Sequence, residues 1–292
     1  MLVTRAFTQR PVILLALAGT LAMSAPVVLP QGQAIASALV LLFRGHTIEP
    51  VTTDYAHLQS AYRTLEELQK LGSLQGTLPR QLATVSSTAA AGAMAGFTVA
   101  EPATLPNGTS HTPTAVKAQP PTQVTFTFSA PRANAYFKSI GSSQTLPAVY
   151  DGEQLIVNFP GVALVEYAAA PRGRLYVGQA GQLSVQAAGT ATVDELRHYL
   201  LTLPGLSGET AAALQSISAW QTTLPLGVPT DRAGWTTITV GGALGGAGVA
   251  LNDNTGIGSA VLWQRRDGLQ SLGVGGWGIT AGDVQAVANS LR

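Results

Sequence analysis

The stretch Val124-Thr-Phe-Thr-Phe128 alternates strictly between apolar and hydroxyl-bearing side chains. This alternation predicts a half-buried β-strand, because successive side chains of a strand point to opposite faces of the sheet. The sequence Asp151-Gly152 favours a tight hairpin further along the chain, and Asp267-Gly268 favours a turn into the strand pattern Leu269–Val274. Similar strand patterns occur at Ala148–Tyr150, Gln154–Phe159, Val162–Tyr167, Arg174–Val177, Gln182–Gln186, Trp235–Val240, Ala247–Leu251, Ser259–Gln264 and Leu269–Val274. Together they predict a sheet in which antiparallel pairs dominate.

Helix signals are interspersed with these strands. The residues Thr192-Val-Asp-Glu195 form a capping box, which predicts a helix that runs to Leu203. Pro131 suits the first turn of another predicted helix, which ends near Ile140. Further helices are predicted at Asp54–Leu71, Ser87–Ala95, Ser207–Trp220 and Asp283–Leu291. Gly72 is expected to end the first of them, Ser87 or Thr88 to cap the second, and Thr280-Ala-Gly-Asp283 resembles a cap before the last. Strands and helices in this order predict an α+β fold, an antiparallel β-sheet domain covered by helices.

The beginning of the chain carries a long apolar run. No charged residue occurs between Val12 and Leu29, which is about the length of a helix that crosses a membrane. Arg5 and Arg10 precede this run, and basic residues favour the cytoplasmic side of a membrane. The sequence therefore predicts an N-terminal membrane helix, with the N-terminus in the cytoplasm and the rest of the chain exported.

The same run also fits a cleavable signal peptide, since small residues stand at Met23-Ser24-Ala25 and at Ala34-Ile35-Ala36. Pro26 and Pro30 interrupt a spanning helix and favour cleavage, whereas the apolar residues that resume after Gln33 favour a retained anchor. A retained anchor predicts a single-pass protein of the cell membrane. Cleavage predicts a secreted one.

The predicted segments of the chain are residues 1–45 (cytoplasmic tip and anchor, or signal peptide), 46–96 (helical connecting segment) and 97–292 (extracytoplasmic α+β domain). Within the last segment, residues 101–123 contain five prolines and show no periodicity, which predicts a loop. Leu224–Pro229 is also rich in proline and is predicted to be a connection.

The composition excludes several classes of function. The chain has no cysteine, which excludes disulfides, thiolate zinc sites and a thiol nucleophile. Its net charge is +1 and its one basic pair is Arg265-Arg266, so we expect no binding to nucleic acid.

Motifs that resemble catalytic or binding sequences have simpler interpretations. The glycines of Gly241–Gly248 precede a strand pattern, whereas a phosphate-binding loop requires a following helix, so we predict a β-turn. Asn252-Asp253-Asn254 lacks the bidentate acid of a calcium loop. The four histidines show no metal-binding spacing, and Glu195 with His198 is interpreted as a surface pair. We therefore assign no catalytic, cofactor-binding or metal-ligating residue and expect no enzymatic activity.

Five loose motifs are shared with a known family: Leu41-Leu-Phe-Arg44, Ala95-Gly-Phe97, Glu101-Pro-Ala-Thr-Leu-Pro-Asn-Gly108, Ala260-Val-Leu-Trp263 followed by Asp267-Gly268, and Ile279-Thr-Ala-Gly-Asp283 leading to Val287-Ala-Asn-Ser-Leu291. On these motifs the chain resembles the membrane-anchored extracytoplasmic C-terminal region of bacterial anti-sigma factors and related regulators. About ten residues precede the apolar run, too few for the cytoplasmic sigma-binding module of that family. The resemblance thus implies the regulatory half alone, with a separate partner carrying the sigma-binding function.

Two functional hypotheses follow. The first is a non-enzymatic, membrane-tethered extracytoplasmic sensor or regulatory domain that acts by binding a protein or ligand. Its expected partners are membrane lipid, through the N-terminal segment, and a protein in the membrane or envelope. The alternative is an exported small-molecule or lipid carrier with an apolar pocket in a half-open sheet. A filled core favours the regulator, and an empty apolar cleft favours the carrier.

Overall fold

The structure is a computed structural model that describes residues 47–53, 70–76, 82–171, 173–203, 208–216, 223–229, 231, 233–253 and 258–292. The strands in these ranges are β1 (Thr47–Thr53), β2 (Gly72–Gly76), β3 (Ala83–Val85), β4 (Ala115–Gln119), β5 (Thr122–Phe128), β6 (Gln154–Phe159), β7 (Val162–Ala169), β8 (Gly173–Ala180), β9 (Ser184–Ala188), β10 (Thr223–Pro229), β11 (Ala233–Val240), β12 (Gly246–Asp253), β13 (Gly258–Gln264) and β14 (Ser271–Trp277). The α-helices are α1 (Thr88–Ala95), α2 (Ala130–Ser139), α3 (Val193–Leu200), α4 (Gly208–Ser216) and α5 (Ala281–Ser290).

The strands form two antiparallel sheets and one parallel pair. The larger sheet has eight strands in the order β11-β12-β13-β14-β8-β7-β4-β3. The smaller sheet has four strands in the order β2-β5-β6-β9. Strands β1 and β10 pair in parallel. The predicted α+β class with mainly antiparallel strands is confirmed.

Three neighbouring strands run from the larger sheet into the smaller one. Strands β4, β7 and β8 are adjacent in the larger sheet, and their continuations β5, β6 and β9 are adjacent in the same order in the smaller sheet. The connections are Pro120-Pro121, Pro160-Gly161 and Gly181–Leu183. They lie side by side, because Val162 at the start of β7 pairs with both Gln119 and Ala180. We call this row of connections the bend line. Two of the three connections contain proline, which lacks the N–H that would continue a ladder and so interrupts strand pairing there.

Helices α1 and α5 cover one face of the eight-stranded sheet. Their buried residues pack with Trp263 of β13, which is fully buried and donates its indole N–H to the carbonyl of Leu244 at 2.8 Å. The Ser87 hydroxyl accepts a hydrogen bond from the N–H of Ala90 at the start of α1. Thr280 caps α5 in the same way. Both helices begin where the sequence predicts a cap, which confirms these two predictions.

The opposite face of this sheet packs against the parallel pair. Leu226 and Val228 of β10 are buried against residues of β12 and β13. Ile48 of β1 contacts this cluster and also the core of the four-stranded sheet. That second core lies between the four strands and helices α2 and α3, with Phe128, Phe137 and Leu196 buried. Helices therefore cover one face of each sheet.

Three of the elements predicted from the sequence are wrong. Ala148–Tyr150 forms a 3-10 turn and not a strand, and the following Asp151 accepts a hydrogen bond from the N–H of Ala130 at 2.7 Å. Asp151-Gly152 therefore caps helix α2 and does not close a hairpin. The predicted loop at 101–123 contains β4 and the start of β5. The predicted connection at Leu224–Pro229 is strand β10, which its parallel partner β1 stabilises from a distant part of the sequence.

The predicted anchor within residues 1–45 and most of the predicted helix Asp54–Leu71 lie outside the described residues. Gly72, which was expected to end that helix, begins β2. The described part of the segment 46–96 forms β1, β2, β3 and α1. Its strands pair with strands from later in the sequence, so this part of the segment belongs to the sheets themselves. None of the helices in the described ranges has the length and apolarity needed to cross a membrane.

Candidate functional site

The glycine-rich stretch forms the turn between β11 and β12, as the sequence predicts. The N–H of Gly241 donates to the side-chain oxygen of Asn289 in α5 at 2.7 Å. Gly242 has a φ of +78°, and a Cβ placed on it would lie 2.3 Å from the backbone oxygen of Asn289. Glycine is therefore required because the turn packs closely against α5. These contacts assign the stretch a structural role.

The pair Glu195 and His198 does not form a site. The Glu195 carboxylate accepts hydrogen bonds from the backbone N–H of Thr192 at 2.7 Å and from its hydroxyl at 2.8 Å. The backbone hydrogen bond is the main reason why the pKa of Glu195 lies below its ordinary value. His198 is exposed. Across the part of the chain that the structure describes, no three His, Asp or Glu side chains are grouped to hold a metal ion.

Glu153 is a buried carboxylate that no motif of the sequence marks. It accepts hydrogen bonds from the N–H of Thr190 at 2.8 Å, the Thr190 hydroxyl at 2.8 Å and the N–H of Ala191 at 2.9 Å. These bonds, led by the backbone N–H of Thr190, lower the pKa of Glu153. Every partner is a protein group beside the start of α3. Glu153 thus orders the chain before that helix.

The described tryptophans occupy three different environments. Trp263 is in the core, whereas Trp277 packs against Tyr176 with ring centroids 5.4 Å apart. Burial is the main factor that raises the pKa of Tyr176 to about 12. Trp235 of β11 differs from both, because 37% of its surface is exposed. This exposed indole makes β11 a candidate binding surface.

Among the strands in the described ranges, β11 is the outermost on one side of the eight-stranded sheet and forms its edge. It has eight residues and pairs with β12 along its whole length, from Ala233 with Asp253 to Val240 with Gly246. Its sequence, Ala-Gly-Trp-Thr-Thr-Ile-Thr-Val, contains no charged residue and no proline. The exposed side chains of β11 point to both faces of the sheet: Trp235, Thr236, Thr237 and Thr239. We call this strand the open edge.

The strand at the other edge of the same sheet, β3, is too short to invite pairing with a further strand. Strand β3 has only three residues, and short edge strands offer few backbone groups for further pairing. The open edge lacks this protection, and it also lacks the lysines, prolines and bulges that usually block such edges. An antiparallel edge strand directs alternate N–H and C=O groups away from the sheet. The open edge can therefore accept one more strand from another polypeptide.

The sequence predicted a strand at Trp235–Val240 but not its position at an edge. Strand order depends on which distant segments pair, and an alternating pattern contains no such information. The absence of charged residues in β11 was the one feature of its sequence that bears on how its edge is used.

The chain matches no protein-family model, no curated protein and no solved structure. Its function is therefore inferred from the chemistry of its surfaces and from the sequence patterns described above.

Proposed function

We propose that this protein is a non-enzymatic, membrane-tethered extracytoplasmic regulatory domain that binds a protein partner in the membrane or envelope. The observation that carries the proposal is the open edge, a strand of eight uncharged residues in which Trp235, Thr236, Thr237 and Thr239 expose their side chains on both faces. Such an edge binds an extended segment of a partner through main-chain hydrogen bonds, and side-chain pockets add specificity.

The location follows from the N-terminal sequence. The uncharged run from Val12 to Leu29 behind Arg5 and Arg10 supports a tether with its N-terminus in the cytoplasm. The resemblance to the extracytoplasmic region of anti-sigma factors supports the same arrangement and a regulatory role.

The core favours this function over that of an exported small-molecule or lipid carrier. A carrier in a half-open sheet needs an empty apolar pocket on one face. All seven residues of the central strand β13 are buried, and apolar clusters of the protein itself lie on both of its faces.

The open edge can be tested by site-specific photo-cross-linking of the full chain in its native membrane. Thr237 and Thr239 lie on one face of β11, two residues apart, because side chains alternate along a strand. A photoreactive residue at either position should cross-link to the same partner segment. The two cross-linked positions on the partner should also be two residues apart, since an added strand has the same period.

A matched pair of charge variants completes the test. Thr237→Lys places a charge on the open edge, whereas Gln285→Lys places the same charge on the exposed surface of α5. The edge variant should remain folded by circular dichroism and lose the cross-link from position 239, and the α5 variant should keep it. Cross-links that persist in Thr237→Lys, or that map to scattered partner positions, would rule out strand addition.

A further inference from the structure

A second surface lies on the side of the four-stranded sheet that faces away from α2 and α3. Side chains of a strand alternate, so the residues between the buried positions point outward. The outward side chains are exposed or half-exposed, and none is ionisable: Ser73, Gln75, Gln123, Thr125, Thr127, Gln154, Ile156, Asn158, Ser184, Gln186 and Ala188. We call this surface the amide face.

The strand register arranges the amide face in rows that cross the sheet. The first row comprises Ser73, Thr127, Gln154 and Ala188. The second row comprises Gln75, Thr125, Ile156 and Gln186. The third row comprises Gln123, Asn158 and Ser184 and lies next to the bend line. Neighbours within a row are about 5 Å apart, and rows are about 7 Å apart along the strands.

The third row is held by its own hydrogen bonds. Gln123 donates to Asn158 at 2.8 Å, and Asn158 donates to Ser184 at 3.0 Å. These bonds orient the side chains nearest the bend line. They also leave each of these groups with further capacity to donate or accept, because an amide offers two donors and two acceptor positions.

The amides of the first two rows have no hydrogen-bond partner among the protein groups that the structure describes. Among the hydrogen bonds of the described residues, none involves the side chains of Gln75, Gln154 or Gln186. Each of these side chains presents a donor and an acceptor at the surface. Ile156 lies among them, between Thr125 and Gln186 in the second row, and supplies one apolar contact.

This chemistry selects an uncharged, hydroxyl-rich ligand. A charged ligand would lose hydration and gain no counter-charge here, and an apolar ligand would leave the amides without hydrogen bonds. A sugar hydroxyl donates and accepts at one atom, which complements side-chain amides and hydroxyls that do both. We propose that the amide face binds an uncharged glycan chain, with the amides of the first two rows as the principal contacts.

The test uses the full chain in detergent and two uncharged probes, a β-1,4-linked N-acetylglucosamine hexamer and dextran. Calorimetry and affinity gels should detect binding of at least one probe. The double variant Gln154→Ala/Gln186→Ala should weaken binding about tenfold or more, because each lost hydrogen bond contributes roughly 1 kcal/mol. A control, Gln215→Ala/Gln285→Ala, removes two amides from α4 and α5, where both residues are exposed, and should leave binding unchanged.

Salt dependence separates this site from a charged one. Binding to a surface without ionisable groups should be the same at about 0.05 M and about 0.5 M salt. The absence of binding to both probes, unchanged affinity in the Gln154→Ala/Gln186→Ala variant, or a clear loss of affinity with salt would overturn the proposal. A photoreactive residue at position 186 that cross-links to a protein, with no binding to either probe, would also assign the face to a protein partner. The Thr237→Lys variant should bind glycan normally, so failure of the open edge would leave this proposal standing.

Discussion

The side chain of Gln179 pairs with both backbone polar groups of Ala100. Its Nε2 donates to the Ala100 carbonyl at 2.7 Å, and its Oε1 accepts from the Ala100 N–H at 2.8 Å. Gln179 is fully buried in β8, and Ala100 is 5% exposed. The glutamine thus takes the place of a neighbouring strand for a buried residue that follows helix α1.

Replacing this amide should be costly. In Gln179→Leu, the N–H and the C=O of Ala100 both lose their partners inside the protein, and each unpaired buried group costs about 1–3 kcal/mol. We expect a loss of about 2–5 kcal/mol in the free energy of unfolding, measured by denaturant titration. Gln186→Leu is the control, because this residue is exposed, and should change stability by less than about 0.5 kcal/mol. Equal effects of the two variants would contradict this role.

Two glycines of the bend line should differ in how much stability the protein loses when each is replaced by alanine. A Cβ on Gly161 would lie 2.0 Å from the carbonyl oxygen of Ala95, at the end of α1, whereas a Cβ on Gly181 would meet only a side-chain carbon of Pro160 at 3.3 Å. Gly161→Ala should therefore destabilise the fold by about 1–3 kcal/mol, as overpacking does. Gly181→Ala should have a clearly smaller effect. Thermal unfolding of both variants measures the difference, and a reversed order would refute it.

Glu153 predicts a specific response to acid. Its pKa is lower in the folded protein than its ordinary value of 4.5, because Thr190 and Ala191 donate hydrogen bonds to the carboxylate. Its stabilising contribution is therefore complete above its unfolded-state pKa and is lost as the pH falls through the folded-state pKa. Glu153→Gln should lower the melting temperature at neutral pH, and the melting temperature should then fall less steeply on acidification.

The control for Glu153 is Glu195→Gln, which removes a carboxylate whose pKa is also lowered but which lies at an exposed cap. This variant should remove its own part of the acid dependence and leave the part due to Glu153. A parallel loss of stability in Glu153→Gln and the unmodified protein between neutral and acidic pH would contradict this prediction. That result would show that the hydrogen bonds from Thr190 and Ala191 do not stabilise the ionised form of Glu153.

The proposed topology predicts where the C-terminus lies. Because an uncharged run follows two arginines, a reporter that is active only outside the cytoplasm should be active when fused after Arg292. A reporter that requires the cytoplasm should be inactive at the same position. Substituting acidic residues for Arg5 and Arg10 should reduce the first signal, whereas activity of the cytoplasmic reporter alone would exclude the tether.

The sequence by itself determined the elements whose signals are local. Ser87 and Thr280 mark the starts of α1 and α5, and the capping box at Thr192–Glu195 marks the start of α3. Asp267-Gly268 forms the predicted turn between β13 and β14, where the N–H of Gly268 donates to the carbonyl of Arg265 at 2.8 Å. Each signal arises from groups within a few residues of one another, so no knowledge of the rest of the fold is needed.

The tertiary structure alone decided how these elements combine. Strand β10 exists at a proline-rich segment because β1 pairs with it from more than 170 residues away. Asp151 caps α2 instead of closing a hairpin because the fold brings it to Ala130. The open edge, the amide face and the pairing of Gln179 with Ala100 likewise depend on strand order and register. Periodicity reports only which residues face a core, whereas strand pairing is selected by the combined burial of segments that are distant in the chain.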